Sequence, residues 1–378
     1  MTDLAALTRA TATLDPPLAA LDLGAARANL ADLARRSGGK PVRVASKSVR
    51  CRYMLDLALS TPGFAGVMAY SLREALWLVA SGARDVLMGY PSADRVALAV
   101  LGADPIALES ITLMVDDPEH LAMSPRGARV CLDVDASLRF GRLHLGVRRS
   151  PLRTPHDAAT LARTAAAQGL QVVGVMFYEA QIAGLPDSSP AVRLVKRRSA
   201  AELDTRRSAV VAAVQDAAGA LQLVNSGGTG SVEVSSADPV VTEVTAGSGI
   251  FVPTLFDRYR AFAPRPALFF ALPVVRRPAP KIATLFGGGY IASGPAGKSR
   301  WPAPAVPGLR LLGTEGAGEV QTPVRGDPAE ALKIGDRVWF RPAKAGEQLE
   351  RFDEVHIVEG DAIVASVPTY RGEGKTFG

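Results

Sequence analysis

The sequence predicts an α/β chain, a (β/α)8 barrel of the TIM type followed by an all-β C-terminal domain. Three observations lead there. Eight short apolar runs between Val42 and Ala246 alternate with helical patterns, which argues for a parallel barrel rather than a sandwich. From about Phe262 the helical periodicity fades, and Pro264, Pro266, Pro273, Pro278 and Pro280 punctuate short β-rich runs. The chain, 378 residues and 48% hydrophobic, is long enough for one large core and a smaller second one. The expected division is 1–23 as an N-terminal segment pairing with the β-domain, 24–261 as the barrel and 262–378 as the β-domain.

Leu18 to Leu23 reads as a strand, followed by an amphipathic helix with Ala25, Leu30, Leu33 and Ala34 on one face. The first barrel strand is Val42-Arg43-Val44-Ala45, expected to run on to Lys47 before a helix from Arg50 to Ser60. Gly66 to Ser71 is the next strand, with Ser71 placed to cap a helix Leu72 to Ser81 and Glu74 to complete a capping box. Asp85 to Pro91, Ile111 to Val115 and Arg129 to Asp135 follow as strands, with a helix Ala93 to Leu101 after the first of them. A helix Pro155 to Gln168 leads into the strand Gln171 to Glu179, and a long charged helix Ala191 to Gly219 precedes the last two strands. That makes eight barrel strands and one left over at Leu18, which must pair elsewhere. Strands at Arg337 to Arg341, Glu354 to Val358 and Ala362 to Val367 belong to the β-domain.

Chemistry concentrates where these strands end. Lysine is depleted from strand interiors, and at the C-terminal end of a barrel strand Lys47 would point into the mouth where the loops gather. Val224-Asn225-Ser226-Gly227-Gly228-Thr229 and Glu243-Val244-Thr245-Ala246-Gly247-Ser248-Gly249 are both short strands running into glycines and hydroxyls. Either alone reads as a tight turn with a helix cap. Two on successive strands favour backbone N–H groups arranged around a phosphate. An amine and a phosphate cup suggest pyridoxal phosphate, which needs a lysine for its Schiff base and an anchor for its anionic tail.

The Ser-Lys turn, the Asn-Ser-Gly-Gly run, the Glu-Val-x-x-Gly strand and the trailing β-domain, in this order and spacing, resemble the fold-type III pyridoxal phosphate enzymes. Within them the chain is most similar to the D-threonine aldolase, D-serine dehydratase and amino acid deaminase/aldolase branch, with alanine racemase more distant. The resemblance spans about Leu18 to Phe377. It implies an alanine racemase-like barrel in which Lys47 holds the cofactor and serves as a base. Ser226, Gly227, Gly228, Thr229, Thr245, Gly247, Ser248 and Gly249 are the cofactor-binding positions it implies. Thr245 stands where relatives carry an arginine, which leaves the tuning of the pyridine nitrogen open.

Tyr178 matches a position beside the cofactor, with Gln181 a weaker neighbour. From the cluster Arg139, Arg142, His144, Arg148 and Arg149, the reading favours Arg142 and His144 as catalytic support. The His-x-Cys or His-x-Asp pair that binds metal near the C-terminus of relatives is absent from Val367 to Gly374. A divalent metal is therefore left open, with metal independence preferred. In its absence Tyr370 is the candidate acid or base opposite Lys47, with Arg341, Lys344 or Arg371 to receive the substrate carboxylate and Tyr290 a wall of the site.

The implied activity is a lyase on D-β-hydroxy amino acids, cleaving to glycine and an aldehyde. A dehydratase or a racemase is the alternative on the same scaffold, and a non-catalytic cofactor-binding barrel is disfavoured by the β-domain. Net charge +6 does not point to nucleic acid, because the cations are scattered among acids with few aromatics to stack bases. No run reaches the roughly 18 apolar residues of a membrane helix, and Met1 to Pro16 lacks the pattern of a secretion signal. Cys51 and Cys131 fit a reducing compartment and have no metal-ligand spacing. A cytoplasmic homodimer acting on a small amino acid substrate is expected.

Overall fold

The computed structural model of the chain describes residues 3–260, 262–263 and 265–377. Pro264 and the expected domain boundary at Ala261 lie outside these residues. The strands are, in chain order, β1 Leu18–Asp22, β2 Val42–Ala45, β3 Phe64–Ala69, β4 Val86–Met88, β5 Ile111–Val115, β6 Arg129–Val134, β7 Leu138–Phe140, β8 Leu143–Leu145, β9 Gln171–Phe177, β10 Leu223–Ser226 and β11 Glu243–Ala246. Beyond the barrel come β12 Leu268–Ala279, β13 Ile282–Phe286, β14 Ala303–Pro304, β15 Arg310–Leu311, β16 Gln321–Arg325, β17 Arg337–Arg341, β18 Glu354–Glu359 and β19 Ala362–Pro368.

β2, β3, β4, β5, β6, β9, β10 and β11 close into a parallel barrel, β11 pairing back onto β2 through Thr245 and Arg43. These are the eight strands the apolar runs marked. Short polar signals set the flanking helices. Asp22 caps Leu23–Arg36, and Thr154 with Asp157 forms a complete capping box on Pro155–Ala167. The long helix Pro190–Ala218 opens on its proline and stops at Gly219, whose φ of 92° is costly for other residues. Ser71 caps Leu72–Ala80 as expected, but Glu74 reaches back to the N–H of Tyr70 rather than Ser71.

The barrel interior is not uniformly apolar. Arg43 on β2 is 2% exposed and makes bidentate pairs with both Glu243 (2.7 and 2.8 Å) and Asp85 (2.8 and 3.1 Å). Room for its guanidinium comes from Gly66, where a Cβ would sit 2.2 Å from Arg43 Nη1 and where φ is +73°. Asn225 donates to Glu243 and exchanges hydrogen bonds with Thr245, so this polar layer is satisfied from within.

The leftover strand β1 lies inside the C-terminal sheet, antiparallel to β12 and parallel to β18. The sheet runs β15-β16-β13-β12-β1-β18-β19, with β17 pairing β12 and β14. Several contacts fasten this sheet to the barrel near Lys47. Gly346, in the 3₁₀ segment Gly346–Arg351, lies so close to the Lys47 carbonyl that a Cβ there would come within 2.0 Å of it. The tail after β19 returns to the barrel, where the Tyr370 N–H donates to Arg50 O (3.0 Å) and Glu373 pairs with Arg52.

Several local expectations are corrected. β2 stops at Ala45, and Lys47 occupies a 3₁₀ turn, Ser46–Ser48, before a helix that begins at Arg52. The residue between, Arg50, has φ of +48°, a break that uncouples the turn from the helix. A helix Leu4–Ala10 and the hairpin β7–β8 form in stretches for which no element was expected.

Candidate active site at the barrel mouth

The side chains at the C-terminal ends of the barrel strands meet around Lys47. The lysine is exposed; its Nζ donates to the Tyr90 hydroxyl and lies 5.1 Å from the centre of that ring. Arg149 sits over two rings at once, 5.6 Å from Tyr90 and 5.2 Å from Tyr178. Lys47, Tyr90, Arg149 and Tyr178 therefore form one cluster drawn from the segments that follow β2, β4, β8 and β9. Burial raises the Tyr178 phenol above its ordinary range, with Arg149 pulling the other way.

Asp133 lines a recess with Arg149 and Tyr178. Burial, then the charge of Asp116, pushes its carboxyl up to about 7 against the attraction of Arg149. Asp135 behaves differently. Buried, but bonded by Ser137, Arg139 and Arg153, it is held below the usual carboxylate range and anchors the hairpin.

The two glycine turns occupy the ends of β10 and β11. Gly227 takes φ of +95°, and Gly247 and Gly249 lie where a Cβ would come 2.7 Å from Ala45 O and from the Thr229 side chain. The turns are tied together, Gly249 N–H donating to Thr229 Oγ1 (2.9 Å) and Ser248 Oγ to Ser48 Oγ (3.0 Å), which links the second turn to the lysine turn. Beneath the first turn lies Glu179, 1% exposed. Its carboxylate accepts from Ser226 Oγ (2.9 Å), Gly227 N–H (3.2 Å), Ser231 Oγ (2.9 Å) and Ser235 Oγ. Among the described residues nothing accepts from the N–H groups of Thr229, Gly230 and Ser248. Unspent backbone donors at two adjacent strand ends are what an anionic tail requires. With an amine on the neighbouring turn, the donor set fits pyridoxal phosphate.

The structure does not gather every candidate here. Arg142, in the β7–β8 turn, is exposed, and His144 bonds Val147 O (3.1 Å) within its own loop. Arg139 is spent on Asp135, so Arg149 is the member of the cluster that reaches the mouth. Gln181 donates to Ala136 O, holding the loop instead of facing the lysine. Tyr370 is fully buried, its hydroxyl donating to Glu74 Oε1 (2.9 Å) and its ring edge-on to Trp77 (4.9 Å). Closed off from solvent and with its proton committed, it does not face Lys47 as an acid or base. Arg341 is paired with Asp257 and Arg371 with Asp353. Among the described residues no three His, Cys, Asp or Glu side chains converge as a metal-ligating group. Sequence reasoning passed over Tyr90, although the signal that singled out Tyr178, a tyrosine at a barrel strand's C-terminal end, applies to it equally.

No protein-family model matches the chain. With its closed parallel barrel and β-sheet appendage, the chain has the alanine racemase-like architecture of the fold-type III pyridoxal phosphate enzymes. The solved structures it is similar to include D-threonine aldolase from Filomicrobium marinum, with a TM-score of 0.79, 22% identity and 96% of each chain covered. D-threo-3-hydroxyaspartate dehydratase from Delftia sp. HT23 superposes with a TM-score of 0.77 at 20% identity, over 94% of this chain and 98% of that one. In sequence, the chain is 28% identical over 284 residues to a D-threonine aldolase of Arthrobacter sp., covering 71% of this chain and 70% of the relative.

Proposed function

We propose that this chain is a pyridoxal phosphate-dependent lyase acting on D-configured β-hydroxy amino acids, cleaving the Cα–Cβ bond to give glycine and an aldehyde, as a cytoplasmic homodimer. The observation that carries the reading is the solvent-facing amine of Lys47 at the barrel mouth, one turn away from two strand ends with unspent N–H donors. The likeness to D-threonine aldolase in sequence supports it.

Thr229, Gly230 and Ser248 would hold the phosphate through their backbone, with Glu179 keeping the first turn in shape. When bound, the cofactor supplies an electron sink for bond cleavage at Cα. Lys47 supplies the amine that holds the aldehyde and then a base at the same atom, Nζ. Tyr178 and Arg149 wall the mouth and present an aromatic face and a positive charge. The Tyr90 hydroxyl, in contact with Lys47 Nζ, orients that amine and offers it a proton path. Which bond breaks depends on how the substrate is turned against these walls.

One feature favours dehydration as the second reading. Asp133 carries a carboxyl that keeps its proton to about pH 7 and lines the recess beside Arg149, where it can hand that proton to a departing hydroxyl. The test is incubation of cofactor-loaded protein with D- and L-threonine and D- and L-serine, with and without a chelator, assaying glycine, aldehyde, oxo acid and inverted enantiomer. Glycine and aldehyde from D-threonine support the aldolase, and oxo acid the dehydratase. A protein that gains no absorbance at about 420 nm on adding the cofactor would sink both.

A further inference from the structure

A second recess lies in the β-domain on the flank of the lysine turn. It is lined by Tyr290, Ala292, Lys344, Glu347, Gln348 and Arg351, among others. Gly346, which lies between Lys344 and Gln348 in the chain, is the residue pressed onto the Lys47 carbonyl, so this wall and the reactive turn share a backbone contact.

The donors in this wall outnumber its acceptors. Gln348 is 3% exposed, and its amide Nε2 has no partner among the described residues. Such a buried orphan is costly unless something in the recess accepts from it. Glu347 is already satisfied, receiving Ser293 N–H (2.7 Å) and Ser293 Oγ (2.6 Å) with Lys344 3.5 Å away. Lys344 also donates to Ser293 Oγ (2.8 Å). Arg351 makes no ion pair among the described residues and lies 6.0 Å from the Tyr290 ring centre. Two cations against one carboxylate leave the wall one positive charge in excess, matched to a monoanion that accepts hydrogen bonds. A carboxylate has that charge and shape, whereas a phosphate dianion exceeds it.

We propose that this recess is a carboxylate subsite, formed by Lys344, Gln348 and Arg351, and that its occupant is the carboxylate of the amino acid substrate. The occupant rests on the reading of Lys47 as the reactive amine. The carboxylate chemistry does not. Of the three cations that sequence reasoning offered for this task, Arg341 and Arg371 are neutralised by Asp257 and Asp353, and only Lys344 lines a recess.

The first measurement is a calorimetric titration of sodium acetate into the protein and its Lys344→Met, Gln348→Leu and Arg351→Met variants, with circular dichroism as a check on folding. Wild type is expected to bind acetate saturably and each variant at least about tenfold more weakly, the loss of one charge-assisted hydrogen bond. Lys344 and Arg351 are at the recess rim, so their variants keep the test open if the buried Gln348→Leu change perturbs folding. Absence of acetate binding in wild type, or equal binding in all three variants, overturns the subsite. The second measurement is acetate inhibition of turnover of D-threonine. Competitive inhibition, with KM raised in Lys344→Met and kcat little changed, supports the substrate's carboxylate as occupant. Acetate binding without effect on KM overturns that occupant and assigns a free carboxylate. The band at about 420 nm reads the lysine independently, so a failure of the cofactor reading and a failure of the subsite are told apart.

Discussion

Arg43 and Lys47 are four residues apart on one segment, yet the structure treats them oppositely. Arg43, deep in the barrel, is closed off from solvent and holds four charge-assisted hydrogen bonds to Glu243 and Asp85. Lys47, past the strand end, is exposed, with the Tyr90 hydroxyl as its one side-chain hydrogen bond among the described residues. A cation whose donors are all matched contributes to architecture and has nothing to offer a ligand. One left with spare donors at the mouth is available for chemistry. The same contrast separates Asp135, bonded on every side, from Asp133, which keeps a labile proton.

The contrast breaks most visibly at Lys47. Lys47→Ala is expected to abolish the band at about 420 nm and to cost at least about 10²–10⁴ in turnover, with the thermal midpoint nearly unchanged. A large loss of stability would mean that the lysine belongs with Arg43. Arg43→Met should do the reverse, leaving Glu243 buried without its partner and lowering stability by about 3–5 kcal/mol in a denaturant titration. Adding Glu243→Gln should recover part of that loss, a coupling that an independent pair would not show.

Next comes Glu74, under the lysine turn. Burial pushes its carboxyl up to about 7, despite the hydrogen bonds from Tyr70 N–H, Ser46 and Tyr370. Because the folded state binds this proton more tightly than the unfolded chain does, the contribution is full below the unfolded value near about 4.3 and is lost as pH rises toward 7. Unfolding measured between pH 4 and 8 should show stability declining over that window, with Glu74 contributing up to about 3 kcal/mol and Asp133, whose carboxyl is raised to a similar value, a comparable share. Glu74→Gln should remove its own share and leave a shallower decline, and an unchanged slope in the variant would mean that Glu74 contributes nothing to it. The smallest effect is expected at the rim. Asp257→Asn, which leaves half-buried Arg341 unpaired, should cost at most about 1 kcal/mol and leave the substrate KM unchanged, since Arg341 takes no part in the carboxylate recess.

Much of the fold was readable along the chain because the barrel strands are short apolar runs and several of the helices between them, such as Leu72–Ala80 and Pro155–Ala167, carry their own caps, and each of those signals is local. Lys47 and the two glycine turns were readable for the same reason, as departures from what a strand end otherwise carries. The roles of Glu179 and Tyr90 were not. Glu179 acts on Ser226, Ser231 and Ser235, and Tyr90 on Lys47, across more than forty residues in either case. Nothing at those positions announces the partner.

By itself, then, the amino-acid sequence determined the order of strands and helices, the break to an all-β region and the lysine and glycine positions at the strand ends, since periodicity, capping and backbone conformation act within a few residues. Only the tertiary structure decided that Arg149 and not Arg142 packs on the tyrosines beside the lysine, that Tyr370 is sealed against Trp77, and that Lys344 and Gln348 line an open recess. Side chains in loops and tails point where the closing of the barrel and the return of the C-terminal sheet send them. That direction is set by packing between segments far apart in the chain, which no local pattern encodes.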